Sequence, residues 1–283
     1  MSAEFIRAVR DAGISIDADI IVDGKLHRAH VDGDKAGTRN AWYVLYDGDF
    51  PAGAFGCNKR GISGKWQSGA KRQPLTQYDH DRIAADRKAH AEAQERAYGE
   101  AATRAEQILH QATRDALQHA YVTRKGIEPH GVKVNERDLL VIPSYSALTG
   151  KLQTVQLIDR DGNKKMLKGG RCTNGCFPFS DVPNFWANAV QRIGIGEGWV
   201  TCATVAESLP TVAMFAAFSA SNLLNVARAL RDRYSDASIV IYGDHDINGT
   251  GQRYAHAAAT AIDGQVAIPP IPGHDWNDAR GAA

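Results

Sequence analysis

The chain has 283 residues, 43% hydrophobic, 23% charged and 8% aromatic, with 33 Lys and Arg against 32 Asp and Glu for a formal net charge of +1. This excludes a wholly disordered or collagen-like chain, and the length points to two domains or one domain with an appended module. Near-neutral charge names no partner, so any nucleic-acid affinity has to come from local clusters.

Residues 1–78 read as a β-rich module. A short opening helix is followed by strands at Ile20–Val22 and Lys25–His27 around the turn Asp23-Gly24, then by Ala41–Tyr46 before Asp47-Gly48; Asp-Gly between β-branched or aromatic runs is a hairpin signal. Residues 79–120 form a helical connector: alanine, glutamine and alternating charge without proline predict one long helix or two in series. Its large aliphatics are only Ile83, Ile108, Leu109 and Leu117, so it bridges or packs laterally and does not centre a core. Residues 121–190 return to strand and turn texture, with strands at Leu139–Pro143 and Leu152–Ile158 and a turn at Asp161-Gly162.

From 191 to 283 the pattern becomes strict. Strands Arg192–Glu197, Thr211–Phe218, Ser238–Tyr242 and Gln265–Ile268 alternate with helices Trp199–Ser208, Ser221–Tyr234, capped by Ser221 or Asn222, and Gly251–Ile262. Strands alternating with helices of this length predict an α/β fold around a mainly parallel sheet.

No apolar stretch approaches the roughly 20 residues of a membrane span, and the start MSAEFIRAVRDAG has no apolar signal core. A soluble, cytoplasmic protein without a membrane partner is expected. Cys57, Cys172, Cys176 and Cys202 are too few and scattered for a disulfide framework.

Ligands of open parallel sheets lie beyond the carboxyl ends of the strands. Glu197, between Gly196 and Gly198, closes one strand; Asp244 and Asp246 follow another, two residues apart and therefore on one side of an extended segment. Asp275 and Asp278 follow the last strand. Hard divalent ions take carboxylate oxygens, and Mg2+ keeps waters and substrate phosphates besides, so this set predicts Mg2+ or Mn2+. His245 points to the opposite side and is expected to pack or face solvent.

Gly196-Glu197-Gly198, Asp244-His245-Asp246 with Gly249, and Asp275-Trp276-Asn277-Asp278 resemble the TOPRIM domain shared by DnaG-type primases, topoisomerases and some nucleases. Glu197-Gly198-Trp199-Val200-Thr201-Cys202-Ala203-Thr204 is similar to the form found in plasmid and phage primases, and Lys164–Gly170, Trp42-Tyr43-Val44 and Ala54-Phe55-Gly56 look like their amino-terminal half. The resemblance implies a C-terminal TOPRIM domain, Rossmann-like with a mainly parallel sheet, joined to an N-terminal α+β module by a long helical connector. It also implies DNA primase activity: Mg-dependent, template-directed nucleotidyl transfer making short RNA primers on single-stranded DNA for plasmid or phage replication, as a DNA-directed RNA polymerase. Glu197 would act at the attacking hydroxyl or hold metal, Asp244 and Asp246 would bind the metal that bridges the triphosphate, and Asp278 or Asp275 would complete the cluster. Thr201 stands where chromosomal primases carry a further acid. The usual zinc ribbon is absent; Cys172-x-x-x-Cys176 is half a site, so zinc is not expected.

Template and triphosphate need cations. Lys59, Arg60, Lys65, Lys71 and Arg72 form one acid-free cluster; Arg160, Lys164, Lys165, Lys168 and Arg171 form a second with Asp161 as its one acid, and Arg124 with Lys125 a third. Trp42, Tyr43, Tyr46, Phe55 and Trp66 are read as core or hairpin pairs, not as base-stacking platforms. No P-loop is present, so unwinding would fall to a replicative helicase or a separate segment. A TOPRIM nuclease and a non-catalytic single-strand-binding replication accessory remain as alternatives.

Overall fold

The computed structural model describes residues 2–16, 19–48, 51–57, 59–68, 77–179 and 190–280. Lys71 and Arg72 of the first basic cluster lie outside them. Contacts divide the chain into two units, Met1–Arg82 and Ile83–Ala283.

The first unit is an antiparallel sheet in the order β1 (His27–Ala29), β2 (Ala41–Tyr46), β3 (Ala52–Cys57), β4 (Ile62–Gln67), with helix α1 (Ser2–Asp11) on one face. Alternation sends Ala41, Tyr43 and Leu45 inward. Phe5 of α1 sits among them, edge-on to Phe55 and Trp66 at centroid distances of 5.9 and 5.6 Å. Ile20 and Val22 pack against this core, but they form no strand. The Asp23-Gly24 turn docks on the end of β2 through a 3.0 Å bond from the Gly24 N–H to the Leu45 carbonyl, and pairing with β2 begins only at His27.

The connector holds one helix, α2 (Gln77–Gln111), 35 residues long, which stops nine residues short of the expected 120 and is followed by a strand at Arg114–Asp115. Ala105, Ile108, Leu109 and the following Ala112 lie on Val141, Val155, Leu152 and Leu157 of the neighbouring strands. Small side chains on the helix permit that close lateral approach.

The second unit holds, among the described residues, one ten-stranded sheet. Its antiparallel half comprises β5 (Arg114–Asp115), β6 (Lys133–Val134), β7 (Leu140–Ser146), β8 (Leu152–Ile158) and β9 (Lys164–Met166), with the short helix α3 (Ala120–Lys125) between β5 and β6. β10 (Gly175–Pro178) is the seam, antiparallel to β7 on one side and to β12 on the other. The parallel half runs β14 (Gln265–Ala267), β13 (Ser238–Tyr242), β11 (Arg192–Gly196), β12 (Ala213–Ala216). Helices α4 (Trp199–Ser208), α5 (Leu223–Arg233) and α6 (Thr250–Thr260) connect these strands, and α7 (Trp276–Ala279) follows the last.

Two predicted elements of the parallel half are shorter than expected by three residues or more. The strand at 211–218 narrows to Ala213–Ala216, and Phe218 takes a left-handed φ of 66°. The helix at 221–234 begins as a 3-10 turn, Ala220–Asn222. Asn222 does not cap it, because its side chain is committed elsewhere: its amide donates to the Gly175 and Ala217 carbonyls, both at 2.9 Å, and its Oδ1 accepts from the Asn174 N–H at 3.0 Å. That buried amide ties the seam strand to the end of β12.

Candidate active site

After β11 the chain crosses through α4 to β12 on one side; after β12 it returns through α5 to β13 on the other. The order therefore reverses at β11, and the crevice lies beyond the carboxyl ends of β11 and β13. Gly196 pairs with Tyr242 in register. Glu197 and Asp244, which follow these residues, are thus set side by side by the ladder.

Local chemistry holds each acid. Glu197 takes the backbone N–H of Ala220, and the positive charge of Lys164 acts on it from β9. Asp244 Oδ1 accepts from the Thr201 hydroxyl at 3.4 Å, in the first turn of α4. Asp246 Oδ2 accepts from the Gly251 N–H at 2.7 Å at the start of α6. Gly251 must be glycine for this: a Cβ there would stand 2.8 Å from the Asp244 carbonyl oxygen and 3.1 Å from Asp246 Oδ2. Gly249 enters the same turn with φ 71°. His245 turns away, its Nδ1 at 2.7 Å from the Pro269 carbonyl oxygen.

The acids share one field. Burial first, then the charges of Glu197, Asp275 and Asp246, push the Asp244 carboxyl from an ordinary 3.8 up to about 7. Burial and Asp246 raise Glu197, opposed by the Ala220 N–H and Lys164. Asp275 belongs to this field, whereas Asp278 closes a capping box with Asp275 and lies 4.0 Å from Lys125 Nζ. Among the described residues, no group of three or more His, Cys, Asp or Glu side chains is gathered tightly enough to hold a metal ion as it stands. The donor set nonetheless fits a hard divalent cation: carboxylate oxygens, partly desolvated, whose mutual repulsion such an ion relieves.

α7 is fastened both to the end of α3, in the antiparallel half, and to α4. Asn277 Nδ2 donates to the Lys125 carbonyl at 2.9 Å and to Thr204 Oγ1 at 3.0 Å, and Arg280 reaches the Gly126 carbonyl at 2.7 Å and Glu207 at 2.8 Å. Sequence reasoning missed Asn277, Arg280 and the hydroxyl of Thr201. Asn277 lay inside the quoted Asp-Trp-Asn-Asp motif, but the carbonyl it recognises is 152 residues away.

The basic residues sort into distinct settings. Lys59 and Arg60 clamp the buried Asp34 at 2.7 and 3.3 Å and, with Asn40, hold its carboxyl down at about 2. Arg171 pairs with Glu95 and stacks 4.5 Å over the Tyr98 ring of α2. Arg124 lies over Tyr121 and bonds the Arg160 carbonyl at 3.0 Å. Lys65, Lys164, Lys165 and Lys168 are exposed. Of these, Lys164 reaches the acids, its Nζ 4.0 Å from where a Cβ on Gly198 would stand. Cys172 is at the surface while Cys176 is in the core, where burial pushes its thiol far up.

Residues 192–283, which hold the parallel half of the sheet and its acid-bearing strand ends, match the family model of the Toprim domain. Over almost its whole length the chain is similar to DNA primase TraC of Escherichia coli. One such protein is 33% identical over 282 residues, covering 94% of this chain and 26% of the relative; another is 32% identical over 285 residues, covering 94% and 19%. The chain thus spans about a quarter or less of the length of these curated relatives. Among solved structures, the primase fragment of the bacteriophage T7 primase-helicase protein aligns with a TM-score of 0.44 at 19% identity, covering 57% of this chain and 68% of that one. The DnaG catalytic core aligns at 0.44 and 11% identity, covering 64% and 74%.

Proposed function

We propose that this chain is the primer-synthesising part of a DNA primase, joining nucleoside triphosphates on a single-stranded DNA template in a Mg2+- or Mn2+-dependent reaction that serves plasmid or phage replication. The observation that carries the proposal is the juxtaposition of Glu197 with Asp244 and Asp246 at the switch point of the parallel sheet, in a field that drives Asp244 to about 7. Similarity to proteins named DNA primase supports the same direction.

In this reading Asp244 and Asp246 hold the cation, with Asp275 or Asp278 completing the acidic edge. When bound, the cation lowers the pKa of a primer 3′-hydroxyl and neutralises charge developing on the triphosphate. Glu197, whose carboxylate already binds a proton more tightly than an ordinary glutamate, receives the hydroxyl proton. Lys164, beside Glu197, offers an ammonium to the triphosphate. Lys65, Lys165 and Lys168, exposed, and Lys59, Arg60, Lys71, Arg72, Arg124, Lys125 and Arg171 are assigned to the template-binding part preceding residue 190, and the metal-binding acids to residues 191–283. A replicative helicase would supply unwinding.

The test is to incubate the purified chain with single-stranded template, labelled NTPs and Mg2+. Labelled oligonucleotides that disappear in Glu197→Gln and Asp244→Asn, with DNA binding intact, are expected. Shortened template would make the protein a nuclease instead. Binding without either product would make it a replication accessory.

A further inference from the structure

We propose that the face of the first unit's sheet opposite α1 is a stacking platform for single-stranded nucleic acid, with Trp42 and Tyr46 as its rings. The register of β1–β4 defines that face. Residues directly paired across strands share a side, so one row reads Arg28, Trp42, Gly56, Ser63, the next Val44, Ala54, Lys65, and the third Tyr46, Ala52, Gln67. The inward rows, with Tyr43, Leu45, Phe55 and Trp66, are the ones that meet Phe5 and the core.

Three features make this face a site and not merely a hairpin surface. First, its aromatics are presented: Tyr46 is 53% exposed, with part of its ring against Gly24, and Trp42 is half-buried, its indole against Gly56, where a Cβ would come within 2.7 Å of the ring. Second, the β3 residues opposite Trp42, Val44 and Tyr46 are Gly56, Ala54 and Ala52. These small residues keep the β3 part of the face low, with the Trp42 indole covering Gly56. Third, the three rows carry two cations, Arg28 and Lys65, and no carboxylate. A second copy laid face to face would oppose like charges, whereas a polyanion with flat apolar bases satisfies rings and cations together. Trp42 and Tyr46 stand four residues apart on one strand, roughly 13 Å, far enough to take separate bases. Tyr43, Phe55 and Trp66 point inward as core residues, whereas Trp42 and Tyr46, paired across the hairpin with Gly56 and Ala52, lie on the outer face.

The proposal rests on the primase reading only for the single-stranded character of the partner. Its test is the affinity of the full chain for a labelled oligo-dT of about 20 nucleotides, read by anisotropy across a salt series. Trp42→Ala should weaken binding roughly tenfold or more, the order of one stacked base, and Trp42→Phe should restore most of it. Lys65→Glu, at an exposed position that does not threaten folding, should weaken binding and lower the salt slope by at least about 0.7, as for one lost phosphate contact on a single strand. Wild-type affinity in both Lys65→Glu and a folded Trp42→Ala would overturn the platform, even in a chain that makes primers. So would a dimer that either variant dissociates, which would make the face a self-interface. A chain that binds with the expected losses yet makes no primer would overturn the primase reading and uphold the platform.

Discussion

Asp244→Asn should make the metal-free protein more stable. Asparagine keeps the shape and can still accept from Thr201 while removing the charge that burial, Glu197, Asp275 and Asp246 oppose. The folded-state pKa of Asp244 is about 7 against an ordinary 3.8, so the folded protein holds a proton that the unfolded chain has already released. The wild type therefore has its full stability from this group below pH 3.8 and loses it as pH rises toward 7. A difference of that size is worth about 4 kcal/mol as a ceiling, at about 1.4 kcal/mol per pKa unit. Solvent screening at a half-buried site reduces it to roughly 1–3 kcal/mol. In EDTA, urea denaturation of the second unit, followed by near-UV circular dichroism, should show wild type and Asp244→Asn converging near pH 4. They should then separate in favour of the variant up to pH 7–8. At about 2–4 °C per kcal/mol for a domain of this size, the matching thermal shift is several degrees. A variant no more stable than wild type at pH 7.5 would refute the reasoning, because the carboxylates would then be splayed into water and not share a field.

The cation should reverse that order: millimolar Mg2+ or Mn2+ raises the wild-type melting temperature by mass action and leaves Asp244→Asn unmoved in differential scanning fluorimetry. Gly251→Ala, a change that usually favours a helix, should here lower stability and cut primer synthesis at least about tenfold in a gel assay, because its Cβ meets the Asp244 carbonyl oxygen at 2.8 Å. Lys164→Met removes a charge that holds Glu197 down; the rising limb of the pH–rate profile for synthesis should move to higher pH, and an unmoved limb would separate Lys164 from Glu197. Asn222→Ala leaves the carbonyls of Gly175 and Ala217 and the N–H of Asn174 without their partner, and should cost about 2–4 kcal/mol in urea denaturation.

Much of the fold was legible because its signals are local. The helix Trp199–Ser208 and the strands Leu152–Ile158, Ala41–Tyr46 and Ser238–Tyr242 have the predicted bounds, since period and punctuation agree along each segment. The acids were legible for a related reason: strand ends can be read from sequence, and in open parallel sheets chemistry gathers at strand ends. Local signals failed where a side chain's partner is remote. Asn222 resembled a helix cap, yet its amide is drawn to a strand 47 residues earlier. Ile20–Val22 had strand composition, but β2 paired with residues beginning at His27.

The sequence by itself determined which residues carry charge, which alternate, and that Glu197, Asp244 and Asp246 stand just past strands. Only the tertiary structure decided company. It brought Asp275 into the field of Asp244, carried Lys164 from the antiparallel half to Glu197, and committed Lys59 and Arg60 to Asp34. It also put Trp42 and Tyr46 on the side of the sheet away from α1. The physical reason is register: periodicity sets the side of a strand on which a residue lies, whereas strand order and pairing, set by burial summed over the whole core, select the neighbours that side will meet.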